Sequence, residues 1–102
     1  MKITEVEVLP LRVPYEERVR TRFHHFGMTE EVTVYRFHTD AGLIGLAENV
    51  GPPFDEAVLR DYVGTDPFDH LMGHGPFNLD MACYDLMGKQ VGQPAWKLMG
   101  PQ

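Results

Sequence analysis

Residues 76 to 91, PFNLDMACYDLMGKQV, constrain most what this chain can fold into. Proline near the start and Gly92 just beyond the end bracket one helix. Phe77, Met81, Tyr84, Gly88 and Val91 form a stripe along it, and Ala82, Cys83, Leu86 and Met87 widen that stripe nearly all round. A helix apolar on most of its circumference requires cover on more than one side. Pro94 opens a further short helix over 94 to 99, which ends at Gly100-Pro101. Three strands and two short helices can cover only one side well, so the missing cover implies another domain or subunit. Several of Met81, Cys83, Leu86, Met87, Trp96 and Met99 should then stand more exposed than their chemistry favours, unless another chain covers them.

What precedes the helix is a small sheet. Residues 2 to 12, KITEVEVLPLR, alternate in part and predict a strand, with Pro10 confining it to an edge or an end. Residues 31 to 39, EVTVYRFHT, alternate again, with Val32 and Val34 on one face and Tyr35 and Phe37 on the other. Residues 43 to 49 make a third strand. The TDAG between them suits a type I turn closed by a left-handed Gly42. Residues 13 to 30 mix Pro, charge, aromatics and Gly without a period and read as a long loop. After a second loop, NVGPPF, helices are predicted over 54 to 63, with acids in the first turn and Gly64 as stop, and over 67 to 72, with Asp66 as N-cap. Three strands followed by helices make an α+β domain: an antiparallel three-stranded meander with a small helical bundle on one face.

The 102 residues suit one domain. A net charge of -6 argues against nucleic acid as main partner. No stretch is long and apolar enough to span a membrane, and the N-terminus lacks an apolar signal core. One cysteine, Cys83, forms no intrachain disulfide and fits a reducing, cytoplasmic compartment. His70 and His74 stand four apart, but Gly73 and Gly75 flank His74 and no glutamate follows His70, so a zinc site is rejected. Asp85 and Lys89 read as a helix-stabilising pair. Gly88, costly inside a helix, reads as a place where another backbone approaches closely.

The pattern D80-M-A82-C-Y-D85-L-M-G88-K89-x4-P94-x3-L98-M-G100 resembles the signature that closes the N-terminal domain of the mandelate racemase/muconate lactonizing enzyme group, within the enolase superfamily. The order of strand, long loop, hairpin, loop and helices fits that domain over the whole chain. Cys83 and Ala95 depart from the residue types usual there. The resemblance implies a capping domain for a following (β/α) barrel, which these residues do not contain. In such enzymes the barrel carries the bases and the ligands of Mg²⁺, and the reaction removes a proton α to a carboxylate. No catalytic residue, metal ligand or cofactor is therefore assigned to this chain, and Mg²⁺ is expected only in a complete family member.

The resemblance also implies that two loops close over the barrel mouth and shape specificity, here residues 15 to 30 and 49 to 54. Within them Arg20, Arg22, His24 and His25 suit an anionic or hydroxylated substrate, since guanidinium binds carboxylate bidentately. Phe23 and Phe26 suit the exclusion of water. Asn49 and Phe54 are the candidates in the second loop. The implied partners are a carboxylate-bearing small molecule and either the barrel domain or another copy of the chain. The competing reading, from a different class, is a small non-catalytic module that uses the same fold to associate with itself or a partner.

Overall fold

The computed structural model describes residues 1–12, 31–73 and 75–98. Strands β1 (Ile3–Arg12), β2 (Glu31–Thr39) and β3 (Ile44–Val50) form one antiparallel sheet in the order β1-β2-β3. Helix α1 (Glu56–Arg60), a 3₁₀ turn (Pro67–His70), helix α2 (Phe77–Val91) and a second 3₁₀ turn (Ala95–Leu98) follow. The α+β meander expected from the sequence is the architecture observed. At the β2–β3 hairpin the Gly42 N–H reaches the Thr39 carbonyl, and Gly42 takes a φ of 77°. Only glycine adopts that conformation without penalty. The Thr39 hydroxyl bonds the Leu43 carbonyl, so β3 begins at Ile44 rather than Leu43.

Alternation in β2 sorts the sheet into two faces. Thr33, Tyr35, Phe37 and Thr39 are buried beneath the helices, whereas Val32, Val34, Arg36 and His38 lie on the open face. The core joins Ile3, Tyr35, Phe37 and Ala47 from the sheet to Leu59, Tyr62, Leu79, Ala82, Leu86 and Met87 from the helical side. Phe37 meets Tyr62 edge to face at 5.3 Å. Each such fully buried large side chain contributes about 1.5–3 kcal/mol relative to exposure.

Helix α1 is shorter than the 54 to 63 expected. The N–H groups of Tyr62 and Val63 bond carbonyls three residues back, tightening the chain into turns, and Gly64 then turns away to donate to the Ile3 carbonyl at 2.7 Å. The second helical segment is a single 3₁₀ turn with a reciprocal cap. Asp66 accepts from the Phe68 N–H, while Asp69 accepts from that of Asp66.

The expected shortage of cover does not occur over the middle of α2. Cys83, Leu86 and Met87 are fully buried and Met81 is half-buried; Met99 and the side chain of Trp96 fall outside the described residues. Cover comes from three directions. The sheet approaches so closely that a Cβ on Gly45 would collide with the Ala82 carbonyl and stand 2.7 Å from Leu86 Cγ. Tyr62 packs from a second side, its hydroxyl donating to the buried Asp80 carboxylate at 2.6 Å. Beyond the left-handed Gly92, the chain folds back until the Gln93 carbonyl lies where a Cβ on Gly88 would be. Gly88 thus admits a neighbouring backbone, as its cost inside a helix suggested. Exposed apolar side chains occur at the helix ends, Phe77 and Val91, on the open sheet face, among them Leu11, Leu46 and Val50, and in the turns before α2, where Met72 is the most exposed.

Candidate functional site

Antiparallel pairing brings the ends of all three strands together. Arg12 pairs with Glu31 and Val32 with Val50, so the segment 13–30 and the loop after β3 both leave from this edge of the sheet. Arg20, Arg22, Phe23, His24, His25 and Phe26 lie outside the described residues. The roots of the two loops are joined: the Gly51 N–H donates to the Glu31 carbonyl at 2.7 Å, and Arg12 stands 3.9 Å from the Glu31 carboxylate. Gly51 has a φ of 103°, a conformation that side chains strongly disfavour.

The second loop is braced from below by β2. The Thr33 hydroxyl donates to the Gly51 carbonyl at 2.9 Å. The Tyr35 hydroxyl donates to Asn49 Oδ1 and accepts from the Phe54 N–H at 3.0 Å. Both N–H bonds of the Asn49 amide are engaged as well, with the Val50 carbonyl at 3.2 Å and the Pro52 carbonyl at 3.0 Å. Phe54 lies against the Tyr35 ring at 6.1 Å between centroids. Burial raises the pKa of the Tyr35 phenol, so the hydroxyl keeps the proton that it donates. Asn49 and Phe54 therefore hold the loop in place rather than project from it. What the loop offers outward is Val50, Pro52 and Pro53. Together with Pro10, Leu11, Val32 and the Arg12–Glu31 pair, the two prolines line a recess at the root of both loops.

Tyr35 and Thr33 were not among the sequence candidates. The available signal was the position of Tyr35 on the buried face beside Phe37, because a buried phenol needs a hydrogen-bond partner. A second cluster escaped the sequence as well. On the open face Arg36 binds Glu7 through Nε and Nη2, both at 2.9 Å, and His38 Nε2 lies 2.9 Å from Glu7 Oε1. The Arg36 and then the His38 hydrogen bond hold the Glu7 carboxyl at about 2, well below its ordinary 4.5.

Burial and the nearby Asp80 carboxylate push the Cys83 thiol up to about 12, which leaves it protonated and a poor nucleophile. His70 stacks on Tyr62 at 4.5 Å and has the Thr65 hydroxyl 2.8 Å from Nε2, while His74 lies outside the described residues. Among the described residues no group of three His, Cys, Asp or Glu side chains is arranged to hold a metal ion, so no metal chemistry is derived for this chain. Among them, too, no helix is long and apolar enough to cross a membrane.

No family model matches the chain. A cis-3-hydroxy-L-proline dehydratase from Roseibium aggregatum is 31% identical over 98% of this chain and 34% of its own length. An isomerase from Streptomyces coelicolor superposes with a TM-score of 0.68 at 28% identity, over 97% of this chain and 31% of that one. A dipeptide epimerase from Enterococcus faecalis, solved with Mg and the dipeptide L-Leu-L-Tyr, gives a TM-score of 0.71 at 22% identity, over 98% of this chain and 35% of that one. The chain spans about a third of the length of the curated relatives it matches. Its structural neighbours are mandelate racemase/muconate lactonizing-type enzymes of the enolase superfamily; it has the fold of their N-terminal domain, without the catalytic barrel in its 102 residues.

Proposed function

We propose that this chain is the capping, substrate-specificity domain of a Mg²⁺-dependent enolase-superfamily enzyme of the racemase, dehydratase or cycloisomerase type, and has no turnover by itself. One observation carries the reading: the loop after β3 and the segment 13–30 leave the same end of the sheet, joined at Glu31 and Gly51, as two walls of one chamber mouth would be. The relatives' names point the same way, each an enzyme matched over about a third of its length. On this reading a barrel supplies the bases and the Mg²⁺ ligands, and the substrate bears a carboxylate. A cytoplasmic location goes with it, in keeping with a single unpaired thiol.

Arg20 and Arg22 then meet the substrate. In the full-length protein, Arg20→Ala and Arg22→Ala should each raise KM or lower kcat, by about ten-fold or more if a charge-assisted hydrogen bond is lost. Unchanged kinetics in both variants contradict the assignment.

A second reading has its own observation. Leu46 and Val50 are 52% and 67% exposed on the open sheet face, and Phe77 is 65% exposed at the start of α2. A self-associating or partner-binding module would bury them. A concentration-independent dimer of the 102-residue chain, measured by light scattering, favours that reading; a monomer favours the cap.

A further inference from the structure

The chemistry of the braced loop bears on the substrate. Asn49, the only polar side chain between Glu48 and Asp55, has its amide oxygen and both N–H groups engaged within the protein. The Thr33 hydroxyl and the Gly51 N–H are likewise bonded internally, and Arg12 faces Glu31. Val50, Pro52 and Pro53 remain exposed, and the recess that holds the two prolines has Pro10, Leu11 and Val32 in its lining together with Arg12, Glu31 and the internally bonded Thr33. Against residues 50–54 a hydroxyl-rich ligand would lose water and find few free partners, so its polar groups would be left unpaired. A hydrocarbon surface would gain in proportion to the apolar area that it buries.

We infer that Tyr35 is a positioning residue that turns Asn49 inward and makes residues 49–54 a preformed apolar wall. The part of the substrate facing that wall is uncharged hydrocarbon, such as a ring or alkyl chain, with the carboxylate held elsewhere. This rests on the capping-domain reading and narrows it: carboxylates with cyclic, alkyl or N-acylated side chains fit, and polyhydroxylated acid sugars do not.

The test uses the full-length protein and Tyr35→Phe, which keeps the buried ring and removes only the hydroxyl. Hydrogen exchange should become about ten-fold faster or more across residues 49–54, with residues 82–88 of α2 unchanged. Two results overturn the brace: equally fast exchange in the parent protein, or a loosening that spreads evenly over the domain. A panel of α-proton carboxylates, some polyhydroxylated and others cyclic, alkyl or N-acylated, reads the specificity. Turnover in the second class, with KM raised several-fold by Tyr35→Phe and kcat little changed, supports the apolar wall. Turnover confined to polyhydroxylated acids overturns it. Turnover of no member removes the enzyme reading and the substrate inference with it, while the exchange result still decides the brace.

Discussion

Gly45 shows how one residue fixes a packing distance. A Cβ there would meet the Ala82 carbonyl of α2 and Leu86, and a backbone atom cannot rotate out of the way. Gly45→Ala should therefore destabilise the domain by about 1–3 kcal/mol in urea unfolding, the range for overpacked cores. A neutral result means that α2 shifts off the sheet freely. Glu7 offers a test by pH. Its carboxyl is held at about 2 against an ordinary 4.5, so the folded state favours the ionised form. The resulting stabilisation is fully present above pH 4.5 and is lost as pH falls towards 2. The melting-temperature gap between the parent and Glu7→Gln should narrow as pH falls below 4.5. A gap independent of pH across that window contradicts the cluster. Neither residue announced its role. Gly45 read as part of a strand, and the partners Arg36 and His38 lie about thirty positions away, a distance bridged only by strand register.

At the scale of elements, α2 does more than fill the core. β3 is an edge strand, and its outward-pointing backbone groups would invite another strand. Helix α2 covers them with side chains. Asp85 accepts from the Leu46 N–H at 3.0 Å, Lys89 donates to the Ile44 carbonyl at 2.6 Å, and the Asn78 amide donates to the Glu48 carbonyl at 2.9 Å. The sequence suggested only the intrahelical Asp85–Lys89 pair, which is present at 3.1 Å. Its larger task depends on where β3 lies, which helical spacing does not reveal. The double variant Asp85→Ala, Lys89→Ala should lose about 1.5–3 kcal/mol of stability, the worth of hydrogen bonds to charged groups. It should also self-associate at concentrations where the parent does not, as read by light scattering. Unchanged stability and mass would show that the edge needs no cover. The hairpin was legible because a tight turn is local chemistry, and the three strands because alternation is local too. The cover of α2 was misjudged because it depends on Gly45, which read only as part of a strand and whose value is the absence of a side chain.

For the whole molecule, the sequence pattern from Asp80 to Gly100 pointed to the fold, and the meander with its backing helices bears it out. The site was less legible. The loop after β3 could be located, but Asn49 and Phe54 turned out to face inward, because Tyr35 supplies a buried hydroxyl between them. Leu11, Leu46 and Val50 stand exposed on the open face of the sheet. On the proposed reading, residues 13–30 and 49–54 together wall a substrate chamber completed by a barrel. A crystal structure of the full-length protein with Mg²⁺ and a bound carboxylate ligand tests that reading most directly. Pro52 and Pro53 are expected in van der Waals contact with the ligand at the mouth of a barrel. The reading is contradicted by a ligand chamber remote from both loops, or by a full-length protein without a barrel.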